Sequence, residues 1–174
     1  MIIYLSLTLI LVIIDRFLKG FMTVYLTESM VKPFIPGFIQ FRYIENTGAA
    51  FGIFQNSTVI LSVITSVLIL ILLYVTISKR FSSALINTAI TLITAGGIGN
   101  LYDRILNGYV VDYLEFTFVD YAIFNFADTL INIGAVMIVI YFIKTEIHKK
   151  KQIEKQNVII AEQTEEKTED TVDE

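Results

Sequence analysis

Apolar residues run almost unbroken through four stretches of this 174-residue chain, at about 2–21, 59–77, 83–101 and 124–143. A helix rises about 1.5 Å per residue, so about 20 apolar residues cross a hydrocarbon core. The pattern therefore predicts four transmembrane helices. The first stretch has no basic leading segment and no Ala-x-Ala-like cleavage site, so it is read as a retained span, not a removable signal peptide. Between the first two spans, PFIPGFIQFRYIEN alternates apolar and polar residues over 38–44, as a strand does. Between the last two, NGYVVDYLEF begins with a hairpin-type Asn-Gly and continues with β-branched and aromatic residues. Both strands fall on the same side of the membrane and are expected to pair into a small sheet on its surface. Beyond Lys151 the apolar pattern is lost. Residues 151–174 are expected to form a charged, disordered tail on a membrane domain spanning 1–150.

Composition agrees with a membrane protein. The chain is 55% hydrophobic and 17% charged, where a soluble domain is about a quarter charged. Its net charge of -4 misleads, because AEQTEEKTEDTVDE alone holds seven of the 17 acids against one lysine. The remainder is mildly basic and carries no nucleic-acid footprint. Lys79 and Arg80 link the second and third spans, and Lys144, Lys149, Lys150 and Lys151 follow the fourth. Basic residues stay in the cytoplasm, which puts both termini there and the two strand-bearing loops outside.

The inventory also restricts the chemistry. There is no cysteine, and the only histidine, His148, lies in the lysine run after the last span. Disulfides, thiol catalysis, histidine-based triads and thiolate- or histidine-based metal sites are excluded. What remains is carboxylates, amides, hydroxyls, Lys and Arg.

Polar residues interrupt the spans at few places. Asn125, Asp128 and Asn132 are spaced by three and four on one face of the fourth span. Lipid does not tolerate that face, so it looks into the bundle. Two asparagines are accounted for by interhelical hydrogen bonding alone; an ionisable Asp between them shifts the reading toward function. In TAGGIGNLYDR, Gly96, Asn100 and Arg104 step by four. The glycines read as close helix packing and Arg104 as a cation reaching the interface, yet Asn100 and Arg104 share Asp128's outer boundary. Asp15 and Lys19 form an i,i+4 pair in the first span, most simply an internal ion pair. Asp112 falls on the apolar side of its strand with Val110 and Leu114, where desolvation raises a carboxyl pKa. If Asp112 and Asp128 meet, they cannot both ionise cheaply. One then draws a proton from water while the other polarises a scissile carbonyl.

These blocks together resemble the lipoprotein signal peptidases (signal peptidase II), intramembrane aspartyl peptidases of bacteria. The matching stretches are DRFLK (15–19), NTGAAF (46–51), GGIGNLYDRILNGYVVDYL (96–114) and FNFADTLINIG (124–134). The resemblance implies an α-helical membrane protein with four transmembrane helices, a small extracytoplasmic β-cradle and a short interfacial helix. It implies an Asp112–Asp128 catalytic dyad, with Asn46, Gly48, Asn100, Arg104, Asn125 and Ala127 at the substrate-binding site. Asp15 and Lys19 match a structural or substrate-adjacent pair, and Arg16 stands where the family often has Gln. The implied substrate is a diacylglyceryl prolipoprotein cut just before its lipobox cysteine, at the outer face of the cytoplasmic membrane. Membrane lipids and globomycin-type inhibitors are the other implied ligands, with the enzyme a monomer and no metal or cofactor. A segment around Phe51 is the candidate lid. Two alternatives stand beside this reading: a proton- or ion-coupled transporter subunit using Asp15 and Asp128 as relays, and a non-catalytic scaffold.

Overall fold

A computed structural model describes residues 1–48 and 57–170. Its elements are α1 (Ile2–Tyr25), β1 (Val31–Ile35), β2 (Ile39–Asn46), α2 (Thr58–Ile77), α3 (Ala84–Asn107), β3 (Val110–Phe116) and α4 (Phe126–Asp170). The expected interfacial helix at Phe51 and Phe54 lies outside the described residues.

Among the described residues, three helices, α2, α3 and α4, are long and apolar enough to cross a membrane. The fourth expected span, α1, has the length, at 24 residues. It also carries Asp15, Arg16 and Lys19 within one stretch, so length and apolarity alone do not qualify it.

Burial separates the helices by role. α2 has a mean hydropathy of 2.8 and buries only Ile69; one face is half-buried where it meets α3, and the opposite face is exposed apolar surface. α3 is the central helix, in contact with both α1 and α2, and it buries Ala89, Ile90, Ala95 and Asn100 among others. Close approach accounts for its glycines: a Cβ at Gly96 would collide with the Ala127 carbonyl oxygen of α4, and one at Gly99 with the Asp15 carboxylate of α1. Hydroxyls within the spans return to the carbonyl four residues back, as Thr8 does to Tyr4, Ser66 to Ser62 and Thr94 to Ile90. No hydroxyl among these is left unsatisfied in an apolar setting.

The three strands form one antiparallel sheet in the order β1-β2-β3. β1 was not expected from the sequence, because Pro33 lies inside it; the strand is on the sheet's edge, where proline is tolerated. The turn that follows, Ile35–Pro36–Gly37–Phe38, is closed by the Phe38 N–H to the Ile35 carbonyl at 3.0 Å, with Gly37 at φ 74°. Pro-Gly at the centre of a turn matches that geometry. Val111 and Tyr113 of β3 pack against Met22 and Leu26 of α1, seating the sheet on that helix end.

The sequence reading of Asn107-Gly108 as a hairpin turn is corrected. Asn107 is the last residue of α3, and Gly108, at φ 81°, caps it in the left-handed region with its N–H on the Arg104 carbonyl at 3.2 Å. Helix ends favour glycine there because no Cβ opposes that conformation. α3 is thus longer than the hydropathy pattern, and Asp103, Arg104 and Asn107 are helical.

The contacts divide the chain into two units, 1–137 and 138–174. In the second, the backbone stays helical to Asp170 where an irregular tail was expected from 151. No Gly or Pro interrupts 151–170, and Glu, Lys, Gln and Ala are strong helix formers. Lys149 and Glu146 pair on its exposed surface at 2.9 Å.

Candidate active site

Both candidate aspartates lie where an element begins. Asp112 is the third residue of β3 and is 2% exposed. Asp128 is in the first turn of α4. The chain reaches α4 through a bridge between Leu114 and Phe124, whose N–H and carbonyl groups pair reciprocally at 2.8 and 3.0 Å. Asn125 follows at once, so the start of α4 is held beside β3.

The Asn-x-x-Asp of FNFAD is a capping box. The Asp128 N–H donates to Asn125 Oδ1 at 3.0 Å, and the Asn125 N–H donates to Asp128 Oδ2 at 3.0 Å. Two otherwise orphaned helix donors are satisfied reciprocally. The same exchange fixes the carboxylate at the positive end of the helix dipole. The sequence reading placed Asn125 and Asp128 on one helix face; Asn125 instead caps the helix and is fully buried.

Three asparagines aim their NH2 groups at the two carboxylates, and in each the amide orientation is chemically determined. Asn46 Oδ1 accepts the Gly48 N–H at 2.9 Å, so its Nδ2 faces Asp112 Oδ2, at 2.9 Å. Asn125 Oδ1 accepts the Asp128 N–H, so its Nδ2 faces Asp112 Oδ1, at 2.6 Å. Asn100 Oδ1 accepts from the Lys19 ammonium at 2.7 Å, so its Nδ2 faces Asp128 Oδ1, at 2.7 Å. An ammonium can only donate and a backbone N–H can only donate, so none of these amides can flip without opposing like groups. Asn125 also joins the two acids: one side chain and its own backbone N–H touch both Asp112 and Asp128.

Around them opens a cleft of about 150 Å³, lined by Asn46, Asn100, Arg104, Val110, Asp112, Asp128 and Asn132, with Tyr121–Phe124 along one wall. Arg104 Nη2 donates to the Gly48 carbonyl at 3.2 Å, while its buried Nε has no hydrogen-bond partner among the described residues. Ala127 does not line the cleft. It packs with no exposure against α3 at Gly96 and Gly99. Asp15 and Lys19 are paired at 3.2 Å and are fully enclosed, and Lys19 also reaches Asn100.

Burial, reinforced by the nearby charge of Asp128, pushes the Asp112 carboxyl up to about 7, against the opposing hydrogen bonds from Asn46 and Asn125. Asp112 therefore stays protonated up to near-neutral pH and loses that proton above it. Turnover that needs one proton on the pair falls as pH rises through about 7. A kcat profile still climbing at pH 9 would contradict this.

Sequence reasoning missed Asp103. It is 1% exposed and takes Arg16 Nη1 at 2.5 Å and Lys19 Nζ at 2.9 Å. It is the partner of Arg16 that the sequence could not supply. The available signal was its place one turn beyond Asn100, opposite the DRFLK charges.

Residues 7–144 match the profile of the signal peptidase (SPase) II family. The chain belongs to the signal peptidase II family. A lipoprotein signal peptidase of Fusobacterium nucleatum is 41% identical over 152 residues, covering 87% of this chain and 91% of its own. Those of Lactobacillus johnsonii and Streptococcus pneumoniae are 33% and 34% identical over 140 residues, which is 80% of this chain. Two solved structures, both described as bacterial membrane enzymes determined by the in meso method, match at TM-scores of 0.72 and 0.69 with 30% identity. They cover 81% of this chain and 87% and 92% of their own. Signal peptidase II is a family of membrane proteases, so the chain is read as an integral membrane peptidase. Nothing in these comparisons supports the transporter alternative.

Proposed function

We propose that this chain is an aspartyl endopeptidase that removes the signal peptide from diacylglyceryl-modified prolipoproteins, cutting before the lipidated cysteine. The observation that carries the aspartyl assignment is the double engagement of Asn125, which holds Asp112 and Asp128 at one cleft. The ionised partner takes a proton from water, and the resulting hydroxide adds to the scissile carbonyl carbon. The protonated partner donates to the carbonyl oxygen. Collapse of the tetrahedral adduct breaks the C–N bond: the aspartate that took the proton from water gives it to the leaving cysteine nitrogen, and the other aspartate takes one from an adduct hydroxyl, which leaves the new carboxylic acid. The pair ends with the single proton it began with.

The remaining residues position and polarise. Asn46, Asn100 and Asn125 hold the carboxylate oxygens, and the Arg104 Nε–H, without a hydrogen-bond partner among the described residues, offers a donor to substrate carbonyls or the developing oxyanion. α1 is taken as the fourth span, its charges turned to the protein interior. With both termini cytoplasmic, the cleft lies at the outer boundary of the membrane, where a signal peptide helix ends and a lipid-bearing cysteine is held. The segment around Phe51 is the candidate lid, and the enzyme acts as a monomer.

The test is cleavage by the purified enzyme in lipid vesicles, using a lipobox precursor with and without its diacylglyceryl group. The modified precursor yields a product beginning at the lipidated cysteine, and the unmodified one stays intact. Equal cleavage of both, or cleavage at another bond, would remove the assignment.

A further inference from the structure

We propose that Asp103 is a positioning residue that sets both aspartates of the pair through two separate hydrogen-bonded branches. This rests on the aspartyl peptidase reading above. Asp103 is not part of the cleft lining and touches neither acid. One branch runs to β3: Asp103 Oδ2 accepts the Val111 N–H at 3.3 Å, and Val111 is the residue before Asp112. That bond ties the strand bearing Asp112 to α3. The other branch runs to α4: Asp103 Oδ2 also holds Lys19 Nζ at 2.9 Å, Lys19 donates to Asn100 Oδ1 at 2.7 Å, and Asn100 Nδ2 donates to Asp128 Oδ1 at 2.7 Å.

The second branch works through amide orientation. Two donors oblige Asn100 to turn its oxygen away from Asp128, the Lys19 ammonium at 2.7 Å and, at the longer distance of 3.2 Å, the Asn125 NH2. With Lys19 drawn elsewhere, only the longer Asn125 contact opposes a flip that presents the Asn100 carbonyl oxygen to a carboxylate, which repels it when ionised. Asp103 is placed to prevent this, because Lys19 is held between the carboxylates of Asp15, an ion pair at 3.2 Å, and Asp103, at 2.9 Å, while it donates to Asn100. Arg16 Nη1, at 2.5 Å, fixes the other oxygen of Asp103. An ion pair whose only task was to fasten α1 to α3 would need neither the Val111 bond nor the link through Asn100.

The experiment compares Asp103→Asn, Asp103→Glu and Asp112→Asn, each purified as monodisperse protein and assayed on the lipidated precursor. Asp103→Asn keeps an acceptor but loses the charge; Asp103→Glu keeps the charge but moves it by one methylene. A positioning role predicts that kcat per folded molecule falls at least about tenfold in both, since misplacement by about 1 Å can cost a hundredfold. KM stays within about twofold, because Asp103 is remote from the cleft. A purely structural role lowers yield and Tm but leaves kcat per folded molecule at the parent value, and that result overturns the proposal. So does a loss carried by KM alone, or a failure of both Asp103 variants to accumulate, which would make this a folding residue. Cleavage surviving in Asp112→Asn fails the peptidase reading itself. Cleavage lost there but unchanged in the Asp103 variants fails only the positioning role.

Discussion

Asp112→Asn and Asp128→Asn each reduce kcat on the lipidated precursor by at least about a thousandfold, the range expected when a group that both takes and gives protons is removed. An amide can neither accept the proton from water nor return one to the leaving amine. The surroundings sharpen the effect. Asp112 receives NH2 groups on both oxygens, from Asn46 and Asn125. Asp128 receives the Asn100 NH2 on one oxygen and the Asn125 N–H on the other. A carboxylate satisfies two donors; an amide has one oxygen and one NH2, so either variant sets donor against donor. That mismatch costs about 1–3 kcal/mol locally, which a Tm measured alongside separates from the catalytic loss. A variant retaining a tenth of parental kcat would remove its aspartate from the chemistry, and the scaffold alternative predicts that both do.

The parts of this molecule that were legible in its sequence are those written locally. Runs of Leu, Ile and Val located α2 and the starts of α3 and α4 within a few residues, because lipid demands apolar side chains all round. Alternation located β2, and a run of β-branched and aromatic residues located β3, whose first four residues are buried on both faces. The dyad was legible for a related reason: an acid where hydrocarbon or an apolar strand face is expected has few explanations. What failed was punctuation. Asn-Gly reads equally as a hairpin and as a helix end, and Gly108 became the latter because α3 continues past the hydropathy signal to Asn107. Asn-x-x-Asp reads as a helix face or as a capping box, and it is the bridge between Leu114 and Phe124 that starts α4 just after Asn125. Arg16 and Asp103 lie 87 positions apart. No local pattern pairs them, and only packing of α1 on α3 brings them together.

The same packing explains how α1 carries three charges and still belongs in the bundle, and it leads to the largest expected effect on stability. Asp15, Arg16, Lys19 and Asp103 form a cluster of two anions and two cations, with every member except Arg16 at least 98% buried. Lys19→Met, which preserves side-chain length, leaves Asp15 and Asp103 facing one partly exposed guanidinium. Removing one partner of a buried ion pair costs about 3–5 kcal/mol, because the remaining charge has no water to return to. Thermal unfolding of the purified variant in detergent is expected to show that loss. Asp15 is the acid most dependent on Lys19, since neither of its oxygens has a hydrogen bond among the described residues and its nearest cation is Lys19, at 3.2 Å. The double variant Lys19→Met/Asp15→Asn therefore recovers part of the stability, while turnover stays low because Asn100 has lost its orienting cation. A single variant within about 1 kcal/mol of the parent, where unremarkable surface changes fall, would show that the cluster is solvated in the protein as it exists. A double variant less stable than the single one would show that Asp15 is held by something other than Lys19. Stability partly restored without restored turnover separates the two tasks of Lys19, balancing charge within α1 and turning Asn100 toward Asp128.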